Sequence, residues 1–155
     1  MKDKNDNIEA AHQIIISLGL PRAQQNERSA LSLLALLNLT PGKAWAQAEN
    51  PLVGITPIMD WAREHYGKEY APNTRETFRR QTMHQFCDAG VALYNPDKPD
   101  RPVNSPKAVY QVEPAALKLL RSFGSDQWHD NLTTYLSERE TLVAKYAMER
   151  EQNRI

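Results

Sequence analysis

Six side chains within ten positions, Arg75, Thr77, Arg79, Arg80, Gln81 and His84, are of types that grip an anion or the edge of a base. A guanidinium presents a rigid fork of donors that fits a phosphate or the O6 and N7 of guanine. A glutamine amide fits adenine in the same two-bonded way. A second polar set follows, because Lys98, Arg101, Asn104 and Lys107 lie in a segment, residues 95–107, that holds four prolines. Such a loop suits phosphate or minor-groove contact. Asp97 and Asp100 dilute its field, so it is expected to position more than to dominate affinity. Each feature also has a plain reading. A helix face with three arginines is often only solvated, and Arg79 and Arg80 can equally serve ion pairs with the acidic N-terminal region. A lone His84 is more often a hydrogen-bonded surface histidine than a base reader. No single residue separates these readings; it is the combination of elements carrying them that favours nucleic acid.

Other chemistries have less to work with. Cys87 is the sole cysteine, which excludes a disulfide framework and a multi-cysteine zinc site. His12, His65, His84 and His129 stand far apart, never at the close helical spacing of a metal-binding pair. Gly42-Lys43 looks like a fragment of a phosphate loop, but the earlier glycine is missing and Ala44 stands where a Ser or Thr belongs. No nucleophile–base pair can be assembled, which ranks a small hydrolase last. No apolar run is long enough to span a bilayer, and Ile14-Ile15-Ile16 is too short for a signal core. The expectation is a soluble protein of a reducing compartment, most simply a cytoplasm.

Behind the polar cluster stand the elements that must hold it. The chain has 155 residues, 41% of them hydrophobic, enough for one core without covalent staples. Its 19 basic and 19 acidic residues cancel, but residues 72–112 carry six basic against four acidic side chains. Apolar spacing predicts a first helix over Asn7 to Leu18, stopped by Gly19. A second is predicted from Pro21 to about Asn38, with a short helical turn over Gly42–Gln47. Thr56-Pro57 reads as a cap and first-turn proline for a helix over Ile58–Tyr66, closed by Gly67. Asn73-Thr74-Arg75-Glu76 reads as a capping box opening a helix over Arg75–Asp88, with Gly90 as its terminator. The inner side of that helix is Phe78, Met83 (or Thr82), Phe86 and Cys87.

The pattern then changes to two short strands, Val91–Tyr94 and Ala108–Val112, joined by a 13-residue loop, which is long for a hairpin. Pro114 opens a helix over Ala115–Phe123. Ser125-Asp126 caps a long last helix, striped by Trp128, Leu132, Tyr135, Leu142 and Tyr146. That stripe is more often intramolecular packing than a dimer seam. A helix pair, then a hairpin with a basic, prolyl loop, is the order of a winged helix-turn-helix. The predicted fold is mainly α, with a two-stranded β wing and a long C-terminal helix. Residues 1–55 form helical support, 56–90 the helix-turn-helix, 91–112 the wing and 113–155 the C-terminal helices.

From about Leu33 onward the residues become more specific than any pattern. The stretch Tyr-Ala-Pro-Asn-Thr-Arg-Glu-Thr-Phe-Arg-Arg-Gln-Thr-Met-His-Gln-Phe (70–86) resembles the N-terminal helix-turn-helix region of the BsuBI/PstI family of type II restriction endonucleases. Residues 95–106, Asn-Pro-Asp-Lys-Pro-Asp-Arg-Pro-Val-Asn-Ser-Pro, and the terminal stretch 146–155 are similar to the family's wing and to the junction between its two halves. The resemblance implies a recognition domain followed by a PD-(D/E)XK nuclease domain that cuts short palindromic DNA with Mg²⁺ as a homodimer. It also implies that Arg75, Thr77, Arg79, Arg80, Gln81 and His84 face DNA, with Arg101 and Asn104 from the wing.

The departure from the family lies in the catalytic signature. That nuclease class needs clustered carboxylates for Mg²⁺ and a lysine near the attacking water. No Asp/Glu-x-Lys triplet occurs here, Pro96-Asp97 and Pro99-Asp100 fall in the prolyl loop, and Glu138-Arg139-Glu140 and Glu149-Arg150-Glu151 fall on the last helix. The expectation is a target-recognition half, without catalytic, metal or cofactor residues of its own, whose nuclease half is absent. A free-standing winged-helix transcription regulator is the first alternative. A protein–protein module with an acidic partner is the second.

Overall fold

The computed structural model describes residues 4–102 and 105–152. Among them are six helices and one two-stranded antiparallel sheet. The molecule is organised around α2 (Glu27–Leu36), in which every residue from Ser29 to Leu36 is buried. A helix that is apolar on all sides belongs in the middle of a core. Leu31, Leu33, Leu34 and Leu36 are each fully buried, a contribution of about 1.5–3 kcal/mol per side chain. The predicted helix from Pro21 to Asn38 is in fact two pieces. Arg22–Gln24 forms a single 3₁₀ turn, and Asn26 then breaks the path by accepting a hydrogen bond from the Ser29 amide at 2.8 Å. An asparagine that caps its own chain competes with helix continuation, and a periodicity argument does not weigh that.

Around α2 the other helices find their places by the same logic. α1 (Lys4–Ser17) turns Asn7, Ala11, Ile14 and Ile15 inward, and ends at Gly19, whose φ of +75° is the left-handed cap. Asn7 is a buried polar residue with partners: its Nδ2 donates to the Tyr66 hydroxyl at 3.0 Å, and that hydroxyl donates to the Leu39 carbonyl at 2.8 Å. This chain of bonds ties α1 to α3 (Ile55–Tyr66) through the turn after α2. α3 starts one turn earlier than predicted. Its cap is Gly54 rather than Thr56, and Pro57 lies inside the first turn, where its missing N–H has no helical partner to lose. A side chain at Gly54 would crowd the Ala108 carbonyl, 3.2 Å from where its Cβ would lie.

α4 spans residues 75–88, with α geometry over Arg75–Thr77 and His84–Asp88 and a π segment over Phe78–Met83. The strands are shorter than predicted. β1 (Ala92–Tyr94) pairs with β2 (Tyr110–Val112) in the register Ala92↔Val112, Leu93↔Gln111 and Tyr94↔Tyr110. Val53 adds a single rung on the other edge of β2, exchanging both backbone hydrogen bonds with Tyr110 at 2.9 and 2.8 Å. The wing is thus anchored to the residue pair that opens α3.

α5 (Pro114–Arg121) is capped by Glu113, whose Oε1 accepts from the Ala116 amide at 3.0 Å. α6 (Trp128–Gln152) packs across α5, with Trp128 edge-on to Phe123 and Phe123 against Trp45. Arg139 donates to the Leu18 carbonyl at the end of α1. Trp128, Leu132, Tyr135 and Leu142 lie against the core, as an intramolecular stripe should. The Tyr146 side chain lies outside the described residues. Burial pushes the Tyr135 phenol up to about 12.

Candidate nucleic-acid interface

The polar cluster of residues 75–84 stands on α4, and the core seals the other side of that helix. Phe78, Thr82, Met83 and Phe86 are all buried. The π segment explains why Thr82 and Met83 are both inward, where an α-helical count offers one or the other. A π turn closes bonds from i to i+5, so Phe78 and Met83 fall on one side with Thr82 beside them. Arg28 on α2 clamps this turn, donating from Nε to the Thr82 hydroxyl at 2.8 Å. The outer side is thereby fixed: Arg75, Arg80, Gln81 and His84 are exposed, Thr77 and Arg79 half-buried.

The predicted capping box is absent. Pro72–Thr74 forms a 3₁₀ turn without a side-chain cap, and Glu76 is engaged elsewhere. Its Oε2 accepts from Arg79 Nη2 at 2.8 Å and meets Arg80 Nε at 3.0 Å. Two guanidinium groups offer a carboxylate more than one backbone amide can, so the acid turns outward along the helix. The Arg79 hydrogen bond, with the nearby arginine charges, holds the Glu76 carboxyl below its ordinary range. Arg79 also lies near Tyr94 and Tyr110, at the base of the wing. Farther along α4, His84 Nε2 sits 3.1 Å from Asp88 Oδ2.

The wing has a brace of its own. Asn95 adopts φ +50° and is buried, and its Oδ1 accepts from the Val109 amide at 2.9 Å and from Arg101 Nη1 at 2.8 Å. Arg101 also grips Asp97 with both terminal nitrogens, at 3.1 and 2.9 Å, and keeps only 12% of its side chain exposed. The Arg101 hydrogen bond holds the Asp97 carboxyl low. Lys98 and Lys107 are exposed on the same loop. Asn104 lies outside the described residues.

Three elements of this arrangement were missed in the sequence. Val53 carries no strand pattern because it contributes a single rung. Asn95 reads as a turn residue; asparagine tolerates the left-handed region, but the proline after it favours extended backbone and argued the other way. Glu76 stands three and four residues before two arginines, the helical spacing for ion pairs, and that signal was available. Among the described residues no three His, Cys, Asp or Glu side chains are grouped so as to hold a metal ion. No helix there is long and apolar enough to cross a membrane.

Helices α3 and α4, packed against α2 and against each other and followed by a two-stranded hairpin, define a winged helix-turn-helix protein. The chain belongs to the family described as the BsuBI/PstI restriction endonuclease HTH domain, whose model matches residues 5–144. It is 61% identical over 151 residues to the type II restriction enzyme BsuBI of Bacillus subtilis, covering 97% of this chain and 48% of that protein. It is 41% identical over 145 residues to the type II restriction enzyme AplI of Arthrospira platensis, covering 94% of this chain and 44% of that one. The solved structure of SdaI restriction endonuclease superposes with a TM-score of 0.82 at 36% identity, over 92% of this chain and 44% of the other. The chain therefore spans about half the length of the curated relatives it matches.

Proposed function

We propose that this chain recognises a specific sequence in double-stranded DNA on behalf of a type II restriction enzyme, with α4 in the major groove. The observation that carries the reading is the outer face of α4. Arg75, Arg80, Gln81 and His84 are exposed on a helix whose opposite face is locked into the core, in a domain of a restriction-endonuclease family. A major groove admits one α-helix, and side chains from its first turns reach base edges. Arginine pairs with guanine and glutamine with adenine. Thr77, Lys98 and Lys107 suit phosphates, which set register without reading sequence.

Arg101 acts mainly through the shape of the wing, since Asp97 and Asn95 already hold its guanidinium. Asn104 is carried by the family resemblance. The same resemblance supports a palindromic target, a homodimeric whole enzyme and a cytoplasmic setting. It also implies Mg²⁺ for cleavage. No hydrolytic step is assigned to this chain's residues, and cutting is proposed for the rest of the enzyme.

Fluorescence anisotropy with labelled duplexes at two salt concentrations tests this. One duplex carries CTGCAG, the palindrome that the family resemblance suggests, and the other a scrambled control. Binding that weakens with salt is expected, because each phosphate neutralised releases counterions. Tighter binding to the palindrome is the further expectation. No binding to either duplex at low salt overturns the proposal for this chain.

A further inference from the structure

The arginines best placed on α4 are already occupied. Glu76 stands in the first turn, and one of its oxygens takes both Arg79 and Arg80, at 2.8 and 3.0 Å. The carboxylate remains half exposed and lies on the same outward side as Arg75 and Arg80. Any duplex approaching this face meets a negative charge whose two cations must be drawn off before they can reach DNA. A phosphate offers the carboxylate nothing in return. A base edge with an exocyclic amine does, since cytosine N4 and adenine N6 both donate into the major groove.

We infer that Glu76 is a specificity-determining residue: it withholds Arg79 and Arg80 from DNA backbone and releases them where a base edge supplies its carboxylate with a new donor. This rests on the reading of α4 as the recognition helix. An unpaired arginine binds any phosphate, and the phosphate term dominates non-specific affinity. Removing the acid should therefore raise affinity for the wrong sequences more than for the right one.

The test compares this chain with its E76Q variant and with D60N. Asp60 is an exposed acid on α3, paired at 3.4 Å with Arg63, and controls for the loss of one negative charge. Anisotropy titrations with a scrambled duplex are run across a salt series. E76Q is expected to bind this duplex roughly three- to tenfold more tightly at low salt, with a salt slope steeper by about 1–2 from one or two added phosphate contacts. D60N should leave the slope unchanged. In selections from a randomised duplex library, the E76Q motif should lose information at a position where the wild-type chain selects cytosine or adenine. E76A, which cannot accept a hydrogen bond at all, should act in the same direction. A wild-type slope for E76Q, or one matched by D60N, overturns the inference while leaving DNA recognition standing. Failure of the wild-type chain itself to bind duplex DNA overturns both.

Discussion

Replacing Asn95 by alanine should destabilise the protein by about 3 kcal/mol, although the residue sits at the base of a surface loop. Asn95 is 1% exposed and holds φ +50°. Its Oδ1 takes the Val109 amide and the Arg101 guanidinium. A hydrogen bond to a charged group contributes about 1.5–3 kcal/mol and a neutral one about 0.5–1.5. Alanine in the left-handed region costs a further ~1–2 kcal/mol, much of which asparagine avoids. Arg101 keeps Asp97 after the change, so the lower end of each range applies, and these sum to about 3 kcal/mol. For a chain of this length the midpoint of thermal unfolding should fall by roughly 6–12 °C. Urea denaturation followed by tryptophan fluorescence gives the free energy directly. N95G tolerates the same φ, so it should recover up to about 1 kcal/mol of the loss. DNA binding supplies a second readout. N95A should weaken affinity without changing the salt slope, because no phosphate contact is removed, whereas K98A should flatten the slope by about 0.9. A thermal shift below about 1 °C for N95A would refute the brace.

Three further expectations rest on the same packing and pairing. R80A and R79A should each cost about 1–3 kcal/mol in binding to the preferred duplex if they make two-bonded base contacts, and losses of only a few tenths at both would remove α4 as the reader. L34A, at a fully buried position of α2, should cost about 2–5 kcal/mol of stability in chemical denaturation; a loss under about 1 kcal/mol would mean that α2 is not the centre of the core. The Glu76 carboxyl should titrate below its ordinary 4.5, and its midpoint should return toward that value in an R79A/R80A double variant. Because the folded value is the depressed one, the pairing contributes stability above the unfolded pKa and loses it as pH falls through the folded pKa. NMR titration of the side-chain carboxyl decides it, and an unmoved midpoint in the double variant would count against the pairing.

How far the residues alone led is clearest at α4. Its limits, its buried face and its polar side were legible because a 14-residue amphipathic segment between proline and glycine has few alternatives. The π segment was not legible. Thr82, turned inward within it, takes a hydrogen bond from Arg28, 54 residues away, and no local pattern announces that contact. Asn26 and Glu76 show a related limit. Asn26 fell inside a predicted continuous helix and instead caps α2 by accepting from the Ser29 amide, while Glu76, read as half of a capping box, is held by two guanidinium groups. The wing strands were visible as β-branched and aromatic runs. Val53, which completes them, was not, because a single rung has no periodicity.

The pairing pattern on the candidate face bears on how discrimination can arise with a net charge of zero. Of the four acids in residues 72–112, Glu76 holds Arg79 and Arg80, Asp88 faces His84, and Asp97 holds Arg101. Only Arg75, Lys98 and Lys107 among the basic side chains of that stretch have no carboxylate within 4 Å among the described residues. Such a face exerts little long-range pull, since paired charges cancel beyond about a Debye length. In the proposed complex its cations enter a DNA contact by exchanging partners, and the exchange is favourable only where the new acceptor is as well placed as the old one. In the proposed complex, non-specific affinity is therefore low by construction, and the ratio between right and wrong sequences gains from the weakness of the wrong ones. A domain with a strongly basic face reaches the same affinity for its target with a smaller ratio, because every duplex shares in the gain.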